Sequence, residues 1–160
     1  MDKVLVSSCL IGRKVRHNGV ARLSGHPVLD RWQAEGRIVP FCPEVGAGLG
    51  TPRLPAEIRG DGGTAVLEGR AAVLDRSGAD LTGYYILGAR LALDVAVREG
   101  CRFAVLTERS PSCGSRLIYD GSFEGVKRPG SGVTTALLRA HGIAVFPESE
   151  IPQIDRFLLS

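Results

Sequence analysis

The residues best equipped for chemistry are four cysteines, at positions 9, 42, 101 and 113 of a 160-residue chain. A disulfide scaffold needs denser cysteine than this, and a domain of this size builds its core without staples. No Cys-x-x-Cys pair is present, which removes the signature of a zinc ribbon or a thioredoxin-type site. Thiolates drawn from separate loops can hold a catalytic zinc, hold an iron–sulfur cluster, or lie together by chance. Three thiolates on a four-iron cluster leave one iron open to a substrate, just as a catalytic zinc keeps one non-protein position.

The segments around the cysteines bring further groups. Cys42 to Arg53 is a long stretch without periodicity, rich in glycine and proline, and such a loop is costly unless it serves a function. Within it Glu44 is a candidate proton carrier, with a solvated loop carboxylate as the plain alternative. Ser110-Pro111-Ser112-Cys113-Gly114 pairs a cysteine with small hydroxyl residues and a glycine that permits close backbone approach.

Short β-branched and aliphatic runs predict strands at Lys3 to Ser7, Arg37 to Phe41, Arg102 to Thr107 and Ile143 to Phe146. Helices are predicted between them. The clearest runs from Leu81 to Glu99, with Asp80 as N-cap, Gly100 as the terminating glycine, and a buried stripe of Tyr84, Leu87, Leu91 and Val95 widened by Ile86, Leu93 and Val97. Others are predicted at Pro27 to Glu35, Val133 to His141 and Ile151 to Leu158. The alternation argues for an α/β fold: one domain over residues 1–160, with a mostly parallel, Rossmann-like sheet and helices on both faces. Turn signals between residues 56 and 75 predict a small antiparallel excursion on the main sheet.

This topology sorts the cysteines. Cys9, Cys42 and Cys113 each follow the carboxyl end of a strand, the edge at which open parallel sheets bind ligands. Cys101 begins its strand, roughly 20 Å away at about 3.3 Å per residue, and reads as a small buried apolar residue.

Composition narrows the partners. Glycine is abundant at 21 residues, nearly twice the share of about 7% in average proteins, yet glycine and proline together stay below the disordered range. A net charge of +3, from 20 basic and 17 acidic residues, is too small for a polynucleotide as main ligand but compatible with a small anion. No apolar run approaches the ~20 residues that span a bilayer. Met1 to Gly12 lacks the pattern of a secretory signal, so the expectation is a cytoplasmic protein with reduced thiols and no membrane partner. The oligomeric state is not set by the sequence.

Four blocks carry a resemblance: Ser8-Cys9-Leu10-Ile11-Gly12, Val15-Arg16-His17-Asn18-Gly19, Cys42 to Arg53 with Pro55-Ala56-Glu57, and Ser110 to Gly114. In order and over almost the whole chain, they resemble the bacterial thiouracil desulfidase family, which includes forms acting on 4-thiouridine monophosphate. The resemblance implies a 4Fe-4S cluster on Cys9, Cys42 and Cys113, whose open iron takes a thiocarbonyl sulfur. Water would replace that sulfur and release hydrogen sulfide without net redox change. By similarity Glu44 would activate the water or shuttle its proton, and Ser110 would orient or protonate a thiolated pyrimidine. The family often has Tyr-Asp where this chain has His17-Asn18, so no acid role is carried onto that block.

Substrate size depends on anion sites. Ser131, Gly132 and Thr134 open a predicted helix whose N–H groups suit phosphate, with ordinary capping by Ser131 as the alternative. Arg13 and Arg16, with Lys14 and His17, form a basic cluster after Cys9, and the amide of Asn18 can both donate to and accept from a pyrimidine edge. These features favour a nucleoside monophosphate over the free base. Two other readings stay open: a zinc hydrolase on the same thiolates with Glu44 as base, and a non-catalytic nucleotide-binding redox sensor.

Overall fold

The computed structural model describes residues 1–12 and 26–159. Along the chain run β1 (Val4–Ser7), α1 (Pro27–Ala34), β2 (Ile38–Phe41), α2 (Pro43–Gly46), β3 (Ala56–Arg59), α3 (Gly63–Leu67) and β4 (Ala72–Asp75). The remainder is α4 (Thr82–Arg98), β5 (Phe103–Val105), β6 (Leu117–Tyr119), β7 (Lys127–Pro129), α5 (Val133–Ala140), β8 (Ala144–Phe146) and α6 (Ile151–Leu159).

Strands β2, β1, β5 and β8 lie side by side in that order, all parallel. Alternation along β1 explains why both faces are covered. Val4 and Val6 pack with Leu29 and Trp32 of α1 and Ile151 and Ile154 of α6. Leu5 points to the opposite layer, with Ala92 and Ala96 of α4 and Leu138 of α5. A strand buried on both sides must be apolar throughout, hence the continuous runs in the sequence.

Three expectations are corrected. The stripe foreseen on α4 is only partly its buried face: Tyr84 is 46% exposed, Leu87 45% and Val97 65%, Ile86, Leu91, Leu93 and Val95 are half-buried, and the fully buried residues are Tyr85, Gly88, Ala89, Ala92 and Ala96. Small residues let the helix approach its neighbours closely, and backbone proximity outweighs side-chain size here. A Cβ on Gly88 would lie 2.9 Å from the Pro43 carbonyl carbon of α2. At the helix start the N-cap position is Leu81, and Asp80 acts one residue earlier, accepting from the Thr82 N–H at 2.9 Å. Gly100 closes α4 in the left-handed conformation, as expected.

The segment around residues 56–75 is antiparallel, but β3 and β4 form their own ribbon apart from the main sheet, with α3 between them. A second ribbon, β6 with β7, has no counterpart among the expected strands because three-residue strands are too short to display alternation. The β3–β4 ribbon packs through Ile58 and Val73 against Tyr85, Ala89 and Val133, which places it beside the carboxyl edge of the parallel sheet.

Candidate functional site

A cavity of about 420 Å³ opens at that edge, within the range of small-molecule sites. Cys9, Cys42 and Cys113 all line it. Cys9 sits on a single 3-10 turn, Ser8–Ile11, immediately after β1. Cys42 stands between β2 and the short helix α2, and Cys113 lies in the loop between β5 and β6. The cysteines foreseen at three strand ends therefore converge. Cys101 is elsewhere, near Lys3 and Glu99, where burial first and the Glu99 carboxylate second push its thiol up to about 11.

The three thiols share one electrostatic environment. Burial raises Cys113 well above its ordinary value, and Cys42, Glu44 and Cys9 add to the effect, while a hydrogen bond from Ser7 opposes it. Burial also raises Cys42, opposed by the Val45 and Glu44 N–H groups directed at its sulfur. Cys9 Sγ lies 2.8 Å from Thr107 Oγ1. Buried, mutually repelling thiols with hydrogen-bond donors at their sulfurs match the needs of a bound cationic metal centre, which takes its ligands as thiolates. Among the described residues no three His, Cys, Asp or Glu side chains are gathered tightly enough for a single metal ion. A multi-iron cluster binds each thiolate to a different iron and so suits a wider triangle than the single ion of a zinc site.

Glu44, on α2, forms a largely buried ion pair with Arg53 through Oε2. Its Oε1 accepts from Ser110 Oγ at 3.2 Å. Ser110 Oγ in turn accepts from the N–H groups of Ser112 at 3.0 Å and Cys113 at 3.3 Å. One chain of contacts thus links Arg53, Glu44 and Ser110 to the backbone of the Cys113 loop.

The phosphate site foreseen at Ser131, Gly132 and Thr134 is overturned. Gly132 N donates to Gly114 O at 2.8 Å, Val133 N to Pro111 O at 2.8 Å, and Thr134 N to Ser112 O at 2.9 Å. Thr135 adds a hydroxyl bond to Cys113 O at 3.0 Å. The start of α5 spends its free donors on the cysteine loop, and neither Ser131, Gly132 nor Thr134 lines the cavity. Ser131 makes no side-chain cap either, since the N-cap position is Gly132. Arg13, Arg16 and Asn18, with Lys14 and His17, lie outside the described residues.

The opposite wall was not foreseen from the sequence. Glu57 of β3 is buried, and its Oε1 accepts from the N–H groups of Gly121 at 2.9 Å and Phe123 at 3.2 Å. Phe123 lines the cavity with Tyr119, and the Arg76 guanidinium lies 5.9 Å from the Phe123 ring while donating to its carbonyl. Glu108 organises the Cys113 loop by accepting from the N–H groups of Arg109, Ser115, Arg116 and Leu117. Burial works against its charge, but these backbone donors prevail and hold its carboxyl below the ordinary value. A polar run, Thr107 to Ser110, directly after an apolar strand is the available sequence signal for this wall.

A family model described as 2-thiouracil desulfurase matches residues 4–150. The chain belongs to the 2-thiouracil desulfurase family. The chain is 44% identical over 151 residues to an uncharacterized protein, YbbK, of Bacillus subtilis (strain 168), covering 94% of this chain and 99% of that protein. Among solved structures it is similar to the 4Fe-4S-dependent thiouracil desulfidase TudS, with 47% identity and a TM-score of 0.90 over 99% of this chain and 98% of the other. That solved desulfidase thus shares this α/β fold.

Proposed function

We propose that this protein is a 4Fe-4S-dependent desulfidase that converts the thiocarbonyl of a thiolated pyrimidine into a carbonyl, with 4-thiouridine monophosphate as the favoured substrate. The observation that carries the reading is the convergence of Cys9, Cys42 and Cys113 with the Glu44–Ser110 pair on one cavity. The overall change is balanced by water alone: one thiocarbonyl and one water give one carbonyl and one hydrogen sulfide, with no oxidant or reductant.

Cys9, Cys42 and Cys113 would hold the cluster, which would supply a thiophilic iron as Lewis acid for the substrate sulfur. The flat faces of Tyr119 and Phe123 receive the pyrimidine ring from the opposite wall. Glu44 Oε2 is committed to Arg53, which leaves Oε1 as the atom that takes the proton of the attacking water. Ser110 Oγ, which donates to Oε1 at 3.2 Å, gives its own proton to the departing sulfur and regains one from the protonated Glu44. Its two backbone donors, Ser112 and Cys113, hold the hydroxyl oxygen in place beside Glu44.

Anaerobically reconstituted protein incubated with 4-thiouridine monophosphate, 4-thiouridine or thiouracil is expected to release sulfide in proportion to substrate consumed. Glu44→Gln should lower kcat on the order of 10²–10⁴-fold, the usual span for a positioned base. Stoichiometric zinc without iron in active protein, or a cluster-loaded protein that releases no sulfide from all three compounds, would overturn the proposal.

A further inference from the structure

Among the described residues, six charged side chains line the cavity: Glu44, Glu57, Glu108, Arg53, Arg76 and Arg109. Five are engaged. Glu44 and Arg53 pair with each other, Glu57 holds the Gly121 and Phe123 N–H groups, Glu108 holds the Cys113 loop, and Arg76 binds the Phe123 carbonyl and ring. The guanidinium of Arg109 has no hydrogen-bond or ion-pair partner among the described residues, although the residue is half-buried. An arginine brings five donors, and withdrawing them partly from water without a partner is unfavourable.

The backbone makes the same point independently. Among the described residues only two other than glycine adopt the left-handed region, Arg109 with φ 71° and Phe123 with φ 59°. Both line this cavity. Such a conformation is unfavourable at a residue with a Cβ and persists only where surrounding contacts impose it. Here the Glu108 carboxylate imposes it on Arg109, accepting the Arg109 N–H at 3.2 Å and the Ser115 N–H at 2.6 Å, so the side chain springs from a fixed root.

We infer that Arg109 is the specificity-determining residue that grips the anionic phosphate of a nucleoside monophosphate, while the uncharged base occupies the cavity beyond it. The inference rests on the desulfidase reading and deepens it by naming the residue that separates nucleotide from free base. A guanidinium matches a phosphate bidentately through its planar fork of donors. It also replaces the anion site that α5 does not provide, since its donors are spent on residues 111–114.

The test is equilibrium binding of uridine monophosphate, uridine and uracil to the cluster-loaded protein, compared for wild type, Arg109→Gln, Arg109→Lys and Arg109→Gly, alongside KM for 4-thiouridine monophosphate and 4-thiouracil. Wild type should prefer the monophosphate, and the monophosphate-to-uracil affinity ratio should fall about 10- to 100-fold in Arg109→Gln and Arg109→Gly, with partial recovery in Arg109→Lys. Arg109→Gly relieves the left-handed strain, so its melting temperature should not fall, which separates loss of grip from loss of fold. A ratio unchanged by all three variants, or a wild type without preference for the monophosphate, overturns the assignment. If the ratio behaves as expected while no thiolated substrate releases sulfide, the anion site stands and the desulfidase reading fails.

Discussion

Cys113 and Cys101 carry the same group in opposite surroundings. Cys113 faces the cavity beside two other thiols, whereas Cys101 sits among the apolar side chains of the core with only Lys3 and Glu99 as charged neighbours. Cys113→Ser is expected to abolish cluster binding and sulfide release, while Cys101→Ser should retain both. Metal content and turnover of the two variants check this, and equal losses would contradict the division. With its thiol raised to about 11, Cys101 stays protonated at neutral pH. Its alkylation in native protein should be slow near pH 7.5 and rise roughly tenfold per pH unit until about pH 11, followed by mass spectrometry. That Cys9, Cys42 and Cys113 meet at one cavity was legible in the sequence because position relative to a strand end is a one-dimensional property. Arg109 was not, because its significance lies in a guanidinium with no partner among the described residues, and only the folded arrangement reveals which cations are taken.

At the scale of elements, glycines set the distances that bring the site together. A Cβ at Gly132 would overlap the Ser112 carbonyl, and one at Gly88 would press on Pro43 of the helix that carries Glu44. Neither clash has a flexible side chain to absorb it, since the atoms met are mainly backbone. Gly132→Ala is expected to push the Cys113 loop away from α5, and Gly88→Ala to shift α2 with Cys42 and Glu44. Each should cost about 1–3 kcal/mol by overpacking and lower cluster occupancy, measured by denaturant melts and iron content. Alanine at Gly36, which meets no atom within 4 Å but has φ 71°, separates backbone strain from overpacking: it should lower stability and leave cluster occupancy intact. The abundance of glycine noted in the sequence is thus partly explained by close approach, a requirement that composition registers without saying where it falls.

Over the whole molecule, the face of the sheet away from α4 is closed by α1 and α6, joined through a buried carboxylate. Asp155 of α6 accepts from Trp32 Nε1 at 3.0 Å and pairs with Arg31, both on α1. Burial opposes its charge, but Arg31 and Trp32 outweigh it and hold the carboxyl below its ordinary value. A carboxyl lowered in the folded state stabilises above its unfolded pKa of about 3.9 and loses that contribution as pH falls through the folded value. Asp155→Ala should therefore destabilise by about 1–3 kcal/mol at pH 7, chiefly by leaving the buried Trp32 N–H unsatisfied, and the gap to wild type should narrow below about pH 4. Thermal melts at both pH values test this. The sequence by itself determined the four strands of the parallel sheet, the longer helices between them and the edge to which three cysteines go, because each follows from local periodicity and from the rule that ligands meet the carboxyl ends of strands. Only the tertiary structure decided which face of α4 is buried, that α5 spends its N–H groups on the Cys113 loop, and that Glu57, Phe123 and Arg109 complete the cavity. Those outcomes depend on which backbones touch and which polar groups are already partnered, and such pairings, 22 to 66 residues apart, leave no period in the chain.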